Sequence, residues 1–402
     1  SLDNPRETLS DEPGFDRQQT HAISANLVTR LDGGDLHFIV THASHNIGYA
    51  YDEDWTYDGF HPWGYTSFDA YYRDVDTNTV ELRFVSGDQW RLFNDTTSWV
   101  IGTRVKNNKE DLLRQYTYAD GDFVSHYQPI TQALYGQLES QLTDDLLLTF
   151  ALRAENYDFS YGDNAGLNGE HDSTMLGGKL ALSYQLGQQL VYASVSRGYK
   201  GAGINPDQNV STDNRFYDEE YNWNYEIGMK GRLADQLTSR VAFFVMKRED
   251  TQVSDYELQY RDDGSAEFID IISNADLGTN QGVEVELSWQ ATDNWNLSFS
   301  GGYLDAYYED YTRADGITVT EQQQAQAPEF TANLLSQLDF NESIRWNVEV
   351  DFADRYRFSD GHDVTAPSRT LVHTQLSWRI ENWETQLWIN NAFDETYYTR
   401  GF

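Results

Sequence analysis

The chain has 402 residues, of which 65 are acidic and 28 basic, and its formal net charge is −37. It contains 27 Tyr, 20 Phe and 11 Trp but no Cys, which excludes disulfides, thiolate nucleophiles and thiolate metal sites. A chain this acidic lacks the basic field that phosphate binding needs, so nucleic acid is not an expected partner.

Apolar and polar residues alternate along many stretches, which is the pattern of β-strands with two different faces. No apolar run approaches the ~18 residues of a membrane-spanning helix, and no stretch has the period of a helix of several turns. In chain order, the clearest alternating stretches are 146–152, 180–186, 223–229, 283–289, 344–352 and 370–380.

The connections between these stretches alternate between short and long, which is typical of antiparallel hairpins with turns at one end and loops at the other. Short polar turns are predicted at 31–35, 86–90, 142–146, 186–189, 232–236, 291–295, 340–343 and 380–384. Long connections are predicted near 50–77, 108–125, 160–172, 200–220, 251–278, 309–326 and 358–369. Counting the segments gives about 16 strands, many longer than the usual ~5–6 residues of globular sheets.

A soluble sheet of this size would need helices to cover its apolar face, whereas a closed barrel in a membrane turns that face to lipid. The sequence therefore predicts an all-β protein, a transmembrane antiparallel β-barrel, with Val372, Leu376 and Trp378 facing lipid. A soluble β-rich ligand-binding protein is the alternative fold class. Residues of the other parity are predicted to face the lumen, namely Arg153, Glu226, Lys230, Glu284, Glu286, Arg345, Glu349, His373 and Arg379.

Candidate ligand-binding residues lie in the long connections. Residues 49–72 place aromatic side chains among carboxylates, which suits either a ligand held by stacking or a self-packed loop beside lipopolysaccharide and divalent ions. The basic cluster at 103–115 suits either an anionic iron chelate or a solvated face. The candidates are Tyr51, Trp55, Tyr57, Trp63, Tyr65, Arg104, Lys106, Arg197, Tyr199 and Lys200.

The sequence contains no HExxH, GxSxG or GxxxxGK pattern, which are motifs of catalytic and nucleotide-binding sites. The histidines are scattered along the chain, so no metal site, no cofactor and no enzymatic activity are predicted.

"YASVSRGYKGAGIN" (192–205) ends a strand in a Gly-rich exit with Arg197 and Lys200 at its rim. This segment resembles a frequent barrel segment of the TonB-dependent outer-membrane receptors. Further segments resemble the same family in the same order, with a slight departure at Asn391-Ala392, where Asn-Leu is common. They are "YNWNYEIGMKG" (221–231) within 221–253, "NQGVEVELSW" (280–289) within 280–311, "APEFTANL" (327–334) and "LWINNAFDETYYTRGF" (387–402).

The resemblance implies a roughly 22-stranded barrel whose lumen holds a plug domain. Members of this family lie in the bacterial outer membrane and import scarce nutrients, most often ferric siderophores, when an inner-membrane TonB complex pulls on the plug. Cobalamin, haem and glycans remain open as substrates. In such a barrel, 1–402 would be one partial barrel domain covering about the sixth to twenty-first strands, with the plug before it and one strand after it. A passive porin of about 16 strands is the alternative transport function.

Overall fold

The structure is a computed structural model, and its described residues are almost entirely β-structure. It describes residues 8–60, 64, 66–207, 210–260, 266–312, 317–399 and 401, with the backbone alone described at 258–260 and 266–268. The helical element within these residues is one 3-10 turn, Asp88–Trp90. Among the same residues, no helix has the length and hydropathy needed to cross a bilayer.

Antiparallel strands follow one another along the chain. They are β1 (Phe15–Leu31), β2 (Gly34–Asp52), β3 (Phe68–Ser86), β4 (Thr97–Tyr116), β5 (Phe123–Thr143), β6 (Leu146–Asp163), β7 (Asn168–Leu186), β8 (Gln189–Lys200), β9 (Gly203–Ile204), β10 (Phe216–Tyr217), β11 (Glu220–Ala234), β12 (Leu237–Tyr260), β13 (Ala266–Thr292), β14 (Trp295–Thr312), β15 (Thr318–Gln323), β16 (Phe330–Asn341), β17 (Ile344–Ala353), β18 (Tyr356–Arg357), β19 (Thr365–Ala366), β20 (Arg369–Ile380) and β21 (Trp383–Ile389). In the described part of the chain, 17 of them form one sheet, while β9–β10 and β18–β19 form two small separate sheets. The chain divides into a first unit, Ser1–Gln137 with Leu152–Leu176, and a second unit, Leu138–Ala151 with Gly177–Phe402.

In the first unit, one face of β1 to β4 is apolar and exposed. Its side chains are aligned by the strand register in rows such as Ala25–Val40–Val80–Val105 and Leu27–Phe38–Leu82–Thr103. Leu27 is 64% exposed, so this apolar face is not part of a core within the chain. The opposite, polar face carries rows such as Asn26–Ile39–Glu81–Arg104. The predicted alternation is confirmed in this unit.

The second unit has the same two faces. Its apolar face includes the row Leu182–Ala193–Ile227–Phe243–Val283–Tyr303–Phe330. The stretch 370–380 forms most of β20, in which Leu376 lies between Trp346 of β17 and Leu387 of β21. All three side chains are exposed, as the sequence pattern predicts for a face that meets lipid.

Among the described residues, the clusters of buried apolar side chains lie in the second unit, near the long connections. Val253, Ala275, Tyr308 and Tyr311 form one cluster, with Val319 packed against it. Val210, Ile269 and Ile271 form another. Burial within the chain therefore stabilises the loop end of this unit, while its apolar face stays open.

Several predicted long connections are shorter than expected, because strands run into them. They are 50–77, 108–125, 160–172, 251–278 and 309–326, each of which contains strand residues. Beyond the apolar face, polar residues such as Asp69, Thr251 and Asp255 occupy buried strand positions, so the apolar–polar alternation fades. The backbone N–H and C=O groups still need partners, which the extended strands provide. The turn predicted at 86–90 is also wrong in length, since the connection runs from 87 to 96 through the 3-10 turn.

On the polar face of the second unit, a tyrosine lies across a glycine of the neighbouring strand. Gly228 is the cross-strand partner of Tyr192, and a Cβ on this glycine would stand 2.6 Å from Cζ of the ring. The Tyr192 hydroxyl donates a hydrogen bond of 2.6 Å to Glu226. The missing side chain of Gly228 therefore creates the space in which the ring lies.

We expect Gly228→Leu to lower the free energy of unfolding by about 1–3 kcal/mol, because the new side chain collides with the Tyr192 ring. Urea-dependent unfolding of the full-length protein in lipid bilayers measures this loss. The matched control is Gly198→Leu, because a Cβ on Gly198 would meet nothing within 4 Å. Equal losses for the two variants would contradict the proposed packing.

Candidate functional site

Arg153 lies on the polar face of the first unit, where a tyrosine again covers a glycine. Its guanidinium carbon is 5.9 Å from the centroid of the Tyr135 ring, and Nε donates to Glu155 at 3.0 Å. The Tyr135 hydroxyl donates to Glu81 at 2.7 Å, and the ring occupies the space beside Gly102. This side chain is therefore held by an aromatic ring and a carboxylate.

The other residues predicted to face the lumen share the polar face of the second unit. In the strand register, Lys230 pairs with Arg240, which pairs with Glu286, while Glu349 pairs directly with His373. By the same alternation, the polar face carries Glu226, Glu284, Arg345 and Arg379. Their common face is confirmed, while their exposure to a lumen stays a prediction.

Along this polar face, which we call the polar wall, oppositely charged side chains form ion pairs and amide groups donate to carboxylates. Arg240 lies 3.3 Å from Glu286, and both line a cavity of about 820 Å³. Asn333 donates to Glu349 at 2.8 Å and to Asp351 at 2.6 Å. Across the residues described, no group of three or more His, Asp or Glu side chains is arranged to hold a metal ion.

At the loop end of the first unit, four aromatic side chains follow one another toward solvent. The ring centroids of Tyr71 and Tyr49 are 6.4 Å apart, those of Tyr49 and Tyr51 are 5.6 Å apart, and those of Tyr51 and Trp55 are 6.1 Å apart. Tyr49, Tyr51 and Tyr71 lie on the polar face, and Trp55 in the following loop is 60% exposed. We call these four side chains the aromatic ladder.

The inner end of the ladder is held by a buried ion pair. Arg114 donates from Nε and Nη2 to Asp69 at 3.0 and 2.8 Å, and Asp69 is only 1% exposed. The Tyr71 hydroxyl donates to the same carboxylate at 2.8 Å. The guanidinium of Arg114 lies 5.2 Å from the Tyr71 ring centroid and 5.3 Å from that of Tyr116. A bidentate pair with these cation–π contacts fixes both rings.

The outer end of the ladder is held by backbone capping in the loop. Asp54 accepts hydrogen bonds from Thr56 N at 2.9 Å, from Thr56 Oγ1 at 2.6 Å and from Ser67 N at 2.6 Å. Trp55 adopts a left-handed backbone conformation, with φ of 56°. The loop therefore holds a large indole in solvent at a backbone angle that non-glycine residues rarely adopt.

The structure brings some of the predicted ligand-binding residues together. Tyr51 and Trp55 are members of the ladder, and Tyr57 packs edge-on against Phe60 with centroids 5.5 Å apart. Trp63 and Tyr65 lie outside the described residues. The role of these side chains in binding a ligand stays a prediction.

Arg104 and Lys106 do not lie in a loop, which corrects their predicted placement. Both are within β4, in register with Glu81 and Thr79 of β3. Ten residues separate Arg104 from Arg114, which is about 33 Å of strand at ~3.3 Å per residue. Arg114 contacts the ladder. Arg104, Lys106 and Arg114 all occupy even-numbered positions of 103–115, and this alternation indicated in the sequence that Arg114 lies on the same face as the other two.

Arg197, Tyr199 and Lys200 do not form one site. Strand alternation in β8 places Arg197 and Tyr199 on the side of the apolar face and Lys200 on the opposite side. The guanidinium of Arg197 lies 3.9 Å from the ring centroid of Tyr221 and 5.8 Å from that of Trp223. Because adjacent strand positions point to opposite faces, Tyr199 and Lys200 do not share a face, and the role of these three residues in binding a ligand stays a prediction.

The sequence did not indicate a polar network at the loop end of the second unit. Arg248 donates from Nε and Nη2 to Glu220 at 2.7 and 2.9 Å, and Gln252 N donates to the same carboxylate at 2.8 Å. Arg248 Nη1 also reaches Gln324 at 3.4 Å. The network ties the beginning of β11 to β12.

A buried carboxyl between β18 and β19 binds the residue that follows Gln324. Asp360 accepts from Ala325 N at 2.8 Å and from the Tyr308 hydroxyl at 3.2 Å. Burial raises the pKa of Asp360 above its ordinary value, although these two hydrogen bonds act in the opposite direction. This group therefore joins the loop to β14 and to the segment after β15.

Comparison with known proteins identifies the fold and the family. A family model described as TonB dependent receptor-like, beta-barrel, matches residues 2–392. The ferric-pyoverdine 358 receptor of Pseudomonas putida is 32% identical over 273 residues, which are 64% of this chain and 31% of that protein. The pesticin receptor of Yersinia pestis is 22% identical over 324 residues, which are 76% of this chain and 46% of that protein. The chain thus spans less than half the length of these curated relatives.

Solved structures share the fold at low sequence identity. The ferric yersiniabactin uptake receptor FyuA of Yersinia pestis matches with a TM-score of 0.77 and 17% identity, covering 97% of this chain and 58% of that one. The siderophore receptor PiuA of Acinetobacter baumannii matches with a TM-score of 0.77 and 17% identity, covering 96% and 62%. The chain belongs to the TonB-dependent receptor family of outer-membrane β-barrel proteins.

Proposed function

We propose that the protein containing this chain is an active outer-membrane transporter that imports a ferric siderophore. The names of its relatives, a ferric-pyoverdine receptor and a ferric yersiniabactin uptake receptor, support this proposal. Within the chain, the observation that carries it is the aromatic ladder, which leads from a solvent-exposed Trp55 to the buried ion pair of Arg114 and Asp69.

In this mechanism the ladder captures the chelate at the outer surface. Aromatic faces bury the ligand's apolar area, and phenol groups supply hydrogen bonds that orient it. The apolar faces of the sheet contact lipid, and the polar ends of the strands contact lipopolysaccharide. The polar wall borders the path inward, and a TonB complex opens that path by acting on a plug domain.

Deleting the full-length gene should abolish uptake of at least one radiolabelled ferric chelate by iron-limited cells, and the wild-type gene should restore it. The uptake should also stop when a protonophore removes the proton-motive force, because TonB-dependent transport needs energy. If uptake persisted without that force, the passive porin would be the correct function. Loss of cobalamin or glycan uptake with every ferric chelate unaffected would contradict the iron assignment.

A further inference from the structure

The aromatic ladder ends in an unusually acidic environment. Residues 49–72 contain no Lys or Arg. The acidic residues in the same stretch are Asp52, Glu53, Asp54, Asp58 and Asp69. A further carboxylate joins them from the segment before β1, because Asp11 accepts a hydrogen bond of 2.9 Å from Asp58 N. The loop therefore concentrates negative charge around exposed aromatic rings.

The positive charge at the ladder lies at its inner end and is already neutralised. Arg114 contacts the Tyr71 ring, but its Nε and Nη2 atoms form a bidentate ion pair with Asp69. Asp52 is 4% exposed, and its Oδ2 atom has no hydrogen-bond partner, so the base of the loop holds a further buried carboxylate oxygen that no donor satisfies. An anionic ligand approaching Trp55 would therefore meet repulsion.

Exposed aromatic faces surrounded by carboxylates are the chemical pattern that recognises organic cations. The electron-rich ring faces attract an ammonium or guanidinium group, and the nearby carboxylates add Coulomb attraction that salt screens. Trp55 and Tyr57 both present exposed rings, and Asp58 lies in the same exposed segment.

We propose that the ladder selects ferric chelates that carry a peripheral ammonium or guanidinium group and discriminates against chelates of net negative charge. This inference rests on the proposed function, because it assigns the charge class of the same ligand. The cation binds between the Trp55 end of the ladder and the carboxylates of residues 52–58, while the chelate's apolar parts stack on the tyrosine rings.

The test uses the full-length protein purified in detergent and three ferric trihydroxamates with the same iron-binding groups. One ends in a free ammonium, the second is acetylated at that nitrogen and neutral there, and the third is succinylated and anionic. At low salt, we expect the ammonium form to bind about tenfold more tightly than the acetylated form, and the anionic form more weakly still. The difference should shrink as salt is added.

Single substitutions test whether the preference for the ammonium form arises at the ladder. Trp55→Ala should reduce the preference for the ammonium form to about threefold or less, while Trp55→Phe keeps most of it because an aromatic face remains. Asp58→Asn removes one carboxylate and should therefore reduce the ratio of the affinities for the ammonium and acetylated forms. The matched control is Phe93→Ala, since Phe93 is also exposed, at 71%, has a φ of 52°, and lies at the opposite end of β3.

Equal affinity for the three chelates, or an unchanged preference in Trp55→Ala, would overturn the inference while leaving the transport proposal intact. Failure of the protein to bind any ferric chelate, whatever its charge, would overturn both. An equal loss of preference in Phe93→Ala would show that the effect does not arise at the ladder.

Discussion

Arg248→Ala should lower the free energy of local opening at the loop end of the second unit by about 3 kcal/mol. The reason is that it leaves the carboxylate of Glu220 buried without its bidentate partner. The side chains of Arg248 and Glu220 are 24% and 10% exposed, so water replaces the lost hydrogen bonds poorly. Hydrogen exchange of the backbone amides where β11 pairs with β12 measures this opening in the full-length protein.

A control for this loss lies on the same strand. Arg240 is paired with Glu286 at 3.3 Å, but the two side chains are 71% and 60% exposed, so Arg240→Ala should change the opening free energy by less than ~0.5 kcal/mol. Combining Arg248→Met with Glu220→Leu should recover part of the loss, because it removes both buried charges. Equal effects of Arg248→Ala and Arg240→Ala would contradict the burial argument.

Val285→Arg should destabilise the protein folded in liposomes by about 2–4 kcal/mol. This is the cost of a guanidinium at a lipid-facing position near the bilayer midplane. Val285 lies on the apolar face between Val241 and Gly301. The matched control is Glu284→Arg on the polar face, where we expect a much smaller loss. Equal losses at the two positions would contradict the contact of the apolar face with lipid.

The strands were predictable wherever one face is apolar and the other polar. Positions such as Leu376 and Trp378 follow the two-residue period along β20, and the strand register places them beside apolar positions of β17. Beyond the apolar face this signal fades, because the buried positions of β12 there include the polar residues Thr251, Asp255 and Glu257 as well as Val253. Residues 251–278 therefore read as a loop in the sequence, although β12 and β13 run through them.

The ladder could be predicted in composition but not in arrangement. The aromatic and acidic content of 49–72 indicated a ligand loop, and Tyr51 and Trp55 are correctly placed in it. The ion pair beneath it joins Asp69 to Arg114, 45 residues apart in the chain, and only strand register brings them together. Arg104 was an equally good candidate in the sequence, because composition alone cannot show which end of a long strand a charge occupies.

The pairing order of the sheet has a consequence for how such a chain folds. Within each unit, the described strands pair with near neighbours in the chain, as in β1–β2, β2–β3, β11–β12 and β12–β13, and the pairs β8–β11, β14–β16 and β17–β20 skip only short strands. The segments that must meet are therefore close in sequence, and closing each intervening loop costs little chain entropy. A hairpin can join the growing edge as soon as its predecessor is in place. Because each partner is a near neighbour in the chain, a delay at one hairpin favours no distant, wrong partner.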